Sequence, residues 1–203
     1  MEIMSPAGSF ESLQSAIKAG ADSIYFGVGK LNMRAQAAKN FTLEDLESVI
    51  KICKENQVRS YLTLNTVMYN EDLEEVKKIC DKVKELGITS IIASDLAVIQ
   101  YANSINLNVH ISTQANVSNI EALKFFSKFS DVIVLARELN LEQIKEICNQ
   151  VKEQKIKGPS GELVKIEIFI HGALCVANSG KCYMSLALYN TSANRGQCVQ
   201  PCR

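Results

Sequence analysis

The chain has 203 residues, enough to enclose one sizeable core, and its 47% hydrophobic and 22% charged residues are ordinary for a water-soluble globular protein. Twenty-two basic residues balance twenty-two acidic ones, which excludes a protein-wide field drawing in nucleic acid and leaves only a local basic patch open. No apolar run approaches membrane-spanning length, and the opening MEIMSPAGSF lacks the basic stretch and apolar core of a secretion signal. The expected compartment is the cytoplasm, where thiols stay reduced.

Short β-branched runs alternate with amphipathic ones along the chain. The first strand is expected at Glu2–Met4, with a helix over 9–19 stopping at Gly20. Ser23–Val28 then leads through a loop bearing Arg34 to a helix over 43–56. Ser60–Asn65 precedes a helix over 71–86, where Leu73, Val76, Ile79, Cys80 and Val83 recur at helical spacing and Gly87 ends the pattern. Ser90–Ser94, Asn108–Ser112 and Val132–Ala136 precede helices over 95–105, 118–128 and 140–154. After a polar, turn-rich loop at Lys155–Val164 comes a last strand, Lys165–Ile170. Ser118-Asn-Ile-Glu121 reads as a capping box, and Thr42 with Asp45 and Asn140 with Gln143 are similar signals. Cys53, Cys80 and Cys148 fall among apolar helical neighbours and read as small buried hydrophobes.

Seven strands alternating with six helices imply a parallel sheet with helices packed outside it. No Gly-x-Gly-x-x-Gly follows the first strand, which argues against an open dinucleotide-binding sheet. Polar residues end nearly every strand: Asn65, Ser94 with Asp95, Ser112 with Gln114, Arg137 with Glu138, and His171. Side chains converging from many strand ends define the upper rim of a TIM-like (β/α)8 barrel. A closed barrel needs an eighth strand, so residues 1–203 are expected to be one incomplete barrel. Either the remaining strand belongs to a further C-terminal part of a longer protein, or a second copy or another chain covers the open edge.

Residues 174–203 carry Cys175, Cys182, Cys198 and Cys202 with the spacing C-x6-C-x15-C-x3-C, and glycines at 172, 180 and 196 allow tight turns around them. In a helix, Cys175 and Cys182 would lie about 10 Å apart, too far for a disulfide. Thiolates gathered this closely in a reduced compartment suit either an iron–sulfur cluster or a four-cysteine zinc site. Glu167 should point into the barrel, where a carboxylate needs a cation such as Arg34 or Arg137, or else has its pKa raised for acid–base work. The only histidines, His110 and His171, fall at or near strand ends and suit proton transfer or substrate orientation as well as a plain polar role. Arg137 pairs with Glu138 or binds an anion, and Asn65 and Gln114 tether loops or orient a ligand.

The run Glu-x-Phe-x-x-Gly-Ala-Leu-Cys-x4-Gly-x-Cys-x-Met-Ser from Glu167 to Ser185 resembles the signature of the collagenase-like peptidase family, peptidase family U32. SPAGSFESLQSAIKAGADSIYFGV, NMRAQAAKNFT, HISTQANVSN, LARELNLEQI and NRGQCVQPCR are similar to further family segments, in order along the whole chain. The resemblance implies a barrel whose last strand lies beyond residue 203. It also implies either hydroxylation of tRNA or ribosomal RNA without molecular oxygen, or the peptidase activity of the older family name. A non-catalytic partner subunit is the third reading. For the hydroxylases it implies a four-iron–four-sulfur cluster and, in tRNA relatives, prephenate as co-substrate. Cys175, Cys182 and Cys198 match ligand positions. The fourth ligand differs between subgroups, with Cys202 the candidate here. Arg34, His110, Gln114, Arg137, Glu167 and His171 would line the rim.

Overall fold

The structure is a computed structural model that describes residues 1–36 and 39–203. Seven strands form one sheet in chain order: β1 (Met4–Pro6), β2 (Ser23–Gly27), β3 (Arg59–Leu64), β4 (Ser90–Ala93), β5 (Val109–Ile111), β6 (Val132–Val134) and β7 (Lys165–Glu167). Every neighbouring pair is parallel. Helices α1 (Phe10–Lys18), α2 (Leu46–Glu55), α3 (Leu73–Leu86), α4 (Leu96–Ser104), α5 (Ile120–Phe126) and α6 (Leu141–Glu153) connect successive strands, and α7 (Met184–Tyr189) follows β7. This is a TIM-like half-barrel, as the alternation of elements predicted, with β1 and β7 each paired on one side only.

The alternation of side chains along the strands divides two environments. Ile24, Phe26, Leu62, Leu64, Ile91, Ala93, Val109, Ile111, Ile133 and Leu135 point outward and join the inner faces of the helices in one core cluster. Leu13, Val49, Cys53, Val76, Cys80, Ile99, Leu123 and Ile147 supply the helix side. Burial pushes the Cys53 thiol up to about 11 and the Cys80 thiol to about 12, so both are inert packing groups. Cys148 is only half-buried. The opposite parity, Tyr25, Tyr61, Thr63, Ile92, His110 and Glu167, faces the barrel interior and is mostly polar.

Helix starts follow the expected chemistry with two shifts. Asn140 and Gln143 exchange reciprocal hydrogen bonds of 2.9 Å at the start of α6, whereas the Thr42 and Asp45 pair closes a turn ahead of α2, which begins at Leu46 rather than 43 and has no side-chain cap. At α5 the cap is Asn119, whose side chain accepts from the Ala122 amide, rather than Ser118. Gly87 closes α3 in the left-handed conformation at φ 69°. Strand limits also differ from expectation. β1 begins at Met4, and β7 stops at Glu167, leaving Ile168, Phe169 and Ile170 exposed. A strand with one partner loses its ladder sooner than one paired on both sides.

Candidate functional site at the barrel rim

The C-terminal ends of the strands form a rim, and the arm from residue 168 to 203 crosses it. Two clasps hold the arm down. In the first, Ser179 is fully buried, and its amide and hydroxyl both donate to the Glu138 carboxylate at 2.9 Å. The Ser179 hydroxyl also accepts from the Arg137 amide and Nε, and Asn116 Nδ2 donates to the Ser179 carbonyl at 2.9 Å. Gly180 follows at φ 71°, so close that a Cβ there would lie 2.1 Å from the Gln114 carbonyl oxygen. Only glycine permits both that backbone angle and that approach.

The second clasp lies on the β3–α3 loop. The Arg195 guanidinium forms an ion pair with the buried Asp72 carboxylate, donates to the Val67 carbonyl at 2.9 Å and stacks 4.2 Å from the Tyr69 ring centroid. The Val67 amide donates to the Asn194 carbonyl, and the Gln36 amide donates to the Gly196 carbonyl. A Cβ on Gly196, at φ 82°, would lie 2.5 Å from the Asn32 carbonyl oxygen. Thus the arm is fixed on loops from β2, β3, β5 and β6.

Both clasp carboxylates are acid-sensitive. The Arg195 hydrogen bond, followed by the Tyr69 amide, holds Asp72 below the usual carboxylate range against the effect of burial. For Glu138 burial alone would raise the pKa, but the bonds from Ser179 and its own amide, with the Arg137 charge, hold it low. Depressed folded-state pKa values contribute stability above the unfolded values of about 4 and lose it as pH falls through the folded ones. The arm is therefore expected to stay docked at neutral pH and release below about pH 4. Hydrogen exchange in residues 174–203, referenced to an unfolded peptide at each pH, checks this. Protection that persists at pH 2 to 3 (roughly the lower end of shifted carboxylates,) contradicts it.

Beneath the rim, Glu167 pairs with His110, Nδ1 to Oε2 3.2 Å, rather than with the expected Arg34 or Arg137. Strand register explains the choice. Val134 of β6 is the partner of Glu167, and His110 of β5 is the partner of Val132, so both side chains face the same interior. The Tyr61 ring packs 4.6 Å from the His110 ring, and the Tyr61 hydroxyl donates to Glu2, which also pairs with Arg59 at 2.9 Å. Sequence reasoning missed Tyr61, Glu2, Ser179, Asp72 and Arg195. Tyr61 could have been found by strand parity, since it shares the inward face with Thr63.

The other predicted residues scatter around the rim. Asn65 tethers a loop, its Oδ1 accepting from the Met33 amide at 3.0 Å. Gln114 supplies the backbone against which Gly180 packs. Arg34 and His171 are exposed. Arg137 is half-buried, with Nε on Ser179 and, among the described residues, no ion pair to Glu138. The Lys39 and Asn40 end of the Arg34 loop is described, but Ala37 and Ala38 of the NMRAQAAKNFT segment lie outside the described residues.

All four late cysteines are free thiols, with Cys175, Cys182 and Cys198 half-buried and Cys202 exposed. Their donor chemistry fits a thiolate-held metal or cluster, being unpaired and carried on an arm clasped to the rim. Their present placement does not gather them: among the described residues no three His, Cys, Asp or Glu side chains stand close enough to hold a metal ion. Nor is any helix of the described residues long and apolar enough to cross a membrane.

A parallel half-barrel with a cysteine-bearing arm across its rim defines the class. The match to peptidase family U32 covers residues 8–203, and the chain belongs to that family. It is 56% identical to a collagenase of Porphyromonas gingivalis over all of this chain and 49% of that protein. It is also 35% identical to a 23S rRNA 5-hydroxycytidine synthase of Escherichia coli, over all of this chain and 29% of that one. Against the tRNA hydroxylation protein P1 of Bacillus subtilis the identity is 32%, again over the whole chain and 46% of the relative. The chain spans about half the length of the first of these relatives. The solved U32 peptidase Mk0906 shares the fold, with TM-score 0.65 at 15% identity over 83% of this chain and 67% of that one.

Proposed function

We propose that this chain forms the catalytic barrel of an RNA hydroxylase acting on tRNA or ribosomal RNA. The observation that carries the reading is the whole-chain match, at 32% to 35% identity, to relatives named for hydroxylating those two RNAs. Replacing a ring C–H by C–OH adds an oxygen atom and removes two electrons from the base, and on the family resemblance prephenate is a co-substrate of the tRNA relatives. Cys175, Cys182, Cys198 and Cys202 would hold a four-iron–four-sulfur cluster, which when bound supplies one-electron transfer.

The chain's own residues have separable tasks. Arg34, exposed, and Arg137, half-buried, carry guanidinium nitrogens suited to carboxylate or phosphate, which would serve a dicarboxylate co-substrate or an RNA backbone. Glu167 accepts at His110 Nδ1, which fixes the imidazole orientation and leaves Nε2 as the atom that gives or takes a proton. His171, exposed four residues past β7, would orient the base. With a cytoplasmic RNA as substrate, the protein works in the cytoplasm. Glu167→Gln is expected to lower the hydroxylation rate about 100-fold, the lower end of what positioned acid–base groups contribute. A rate within about threefold of the parent would remove Glu167 from the chemistry.

A second reading, peptide-bond hydrolysis, is favoured by the 56% identity to a protein named collagenase. His110 bonds to Glu167 and packs on Tyr61, and among the described residues it has no serine or cysteine hydrogen-bond partner to activate. That arrangement gives no support to a serine or cysteine nucleophile activated by His110, and RNA hydroxylation is kept as the first reading on the two RNA-modifying relatives. The direct test is mass spectrometry of nucleosides from tRNA and ribosomal RNA of a strain lacking the gene. Loss of one hydroxylated nucleoside supports the proposal. An unchanged nucleoside profile, together with gelatin degradation by the purified protein, supports hydrolysis.

A further inference from the structure

We propose that Glu138 and Asp72 are positioning residues for the thiolate site, each docking one pair of cysteines on the rim before any metal binds. The inference rests on the reading that the late cysteines hold a metal or cluster. Its basis is where the two clasps fall along the arm. Ser179, held by Glu138, lies between Cys175 and Cys182. Arg195, held by Asp72, lies just before Cys198 and Cys202.

The two carboxylates come from different parts of the rim, Asp72 at the start of α3 and Glu138 after β6. Each clasp uses groups that would be costly to bury unpaired: a fully buried hydroxyl in one case and a buried carboxylate in the other. Among the described residues neither carboxylate bonds to a cysteine, so each would act through the backbone it anchors. Left-handed glycines adjoin both anchors, Gly180 beside Ser179 and Gly196 beside Arg195. The clasps fix two points of the arm and leave the short stretches bearing the thiols to close around a ligand. In that division the arm is docked while, among the described residues, no three metal-ligating side chains stand close enough to share an ion. It also lowers the ordering cost of binding, because most of the arm's freedom is already lost.

The test compares the intact protein with Glu138→Gln, Glu138→Ala, Asp72→Asn and Asp72→Ala. The first readout is hydrogen exchange in metal-free protein. Glu138→Ala is expected to speed exchange about 10-fold in residues 174–183 only, and Asp72→Ala to do so in 192–203 only, one lost charge-assisted bond being worth about a tenfold shift. Glu138→Gln keeps an acceptor for the Ser179 amide and should fall between parent and alanine. The second readout is loss of iron to a chelator after anaerobic reconstitution with ferrous iron and sulfide, expected to be about 10-fold faster in each alanine variant. Variants that retain iron like the parent, or that speed exchange throughout the protein, overturn the positioning role. If the parent takes up no iron–sulfur cluster, the proposed cofactor fails. Zinc affinity of the same thiols then decides: clasp-dependent zinc binding sustains the inference, and clasp-independent or absent binding overturns it.

Discussion

Gly180→Ala is expected to lift the segment around Cys175 and Cys182 off the rim at a cost of about 2–4 kcal/mol, while the rest of the barrel stays folded. The glycine sits at φ 71°, where a side chain is strained, and the added Cβ would meet the Gln114 carbonyl oxygen at 2.1 Å. That neighbour is backbone of the turn after β5, so it cannot rotate away as a side-chain tip would. Undocking relieves both problems by giving up the Ser179 bonds to Glu138 and Asn116. Gly161→Ala is the control: its φ is 82°, but a Cβ there meets nothing within 4 Å. The control should cost about 1 kcal/mol from backbone strain alone. Hydrogen exchange resolved by segment, with thermal melts of both variants, separates the two effects. Equal behaviour of the two variants would show that the close approach to Gln114 is unimportant.

Arg195→Ala is expected to cost about 3 kcal/mol, because it leaves the Asp72 carboxylate buried with the Tyr69 amide as its remaining partner. Loss of the stacking on Tyr69 and of the bond to the Val67 carbonyl adds to the effect. For a domain of this size that corresponds to a fall in Tm of roughly 6–12 °C. Asp72→Asn in the same background should recover part of the loss by removing the unpaired charge. A cycle of the two single variants and the double variant measures the coupling. A coupling below about 0.5 kcal/mol would mean that solvent screens the pair and that the second clasp is weak.

The fold could be read from local patterns because each βα unit carries its own evidence. Strand runs such as Ser60–Asn65, the spacing of Val76, Ile79 and Val83, and the Asn140–Gln143 box each lie within a few residues of one element. The site was less accessible for the opposite reason. Ser179 meets Glu138 across 41 residues, and Arg195 meets Asp72 across 123. No local spacing encodes such pairs, and a serine beside a glycine looks like an ordinary turn. Glu167 was expected either to pair with Arg34 or Arg137 or to serve acid–base work, and strand register rather than charge supply made its partner His110. The short helix α7 was also missed, since Met184–Tyr189 is too brief and too exposed to show a helical period.

The identity of the reaction is tested most directly by complementing a strain that lacks the gene with the parent protein, or with one carrying Cys175→Ser and Cys182→Ser. Hydroxylated nucleosides of purified tRNA and ribosomal RNA are then quantified by mass spectrometry. RNA hydroxylation at the thiol-bearing rim predicts that one modified nucleoside disappears on deletion, returns with the parent and stays absent with the serine variant. A full complement of hydroxylated nucleosides in the deletion strain, or complete rescue by the serine variant, would contradict it.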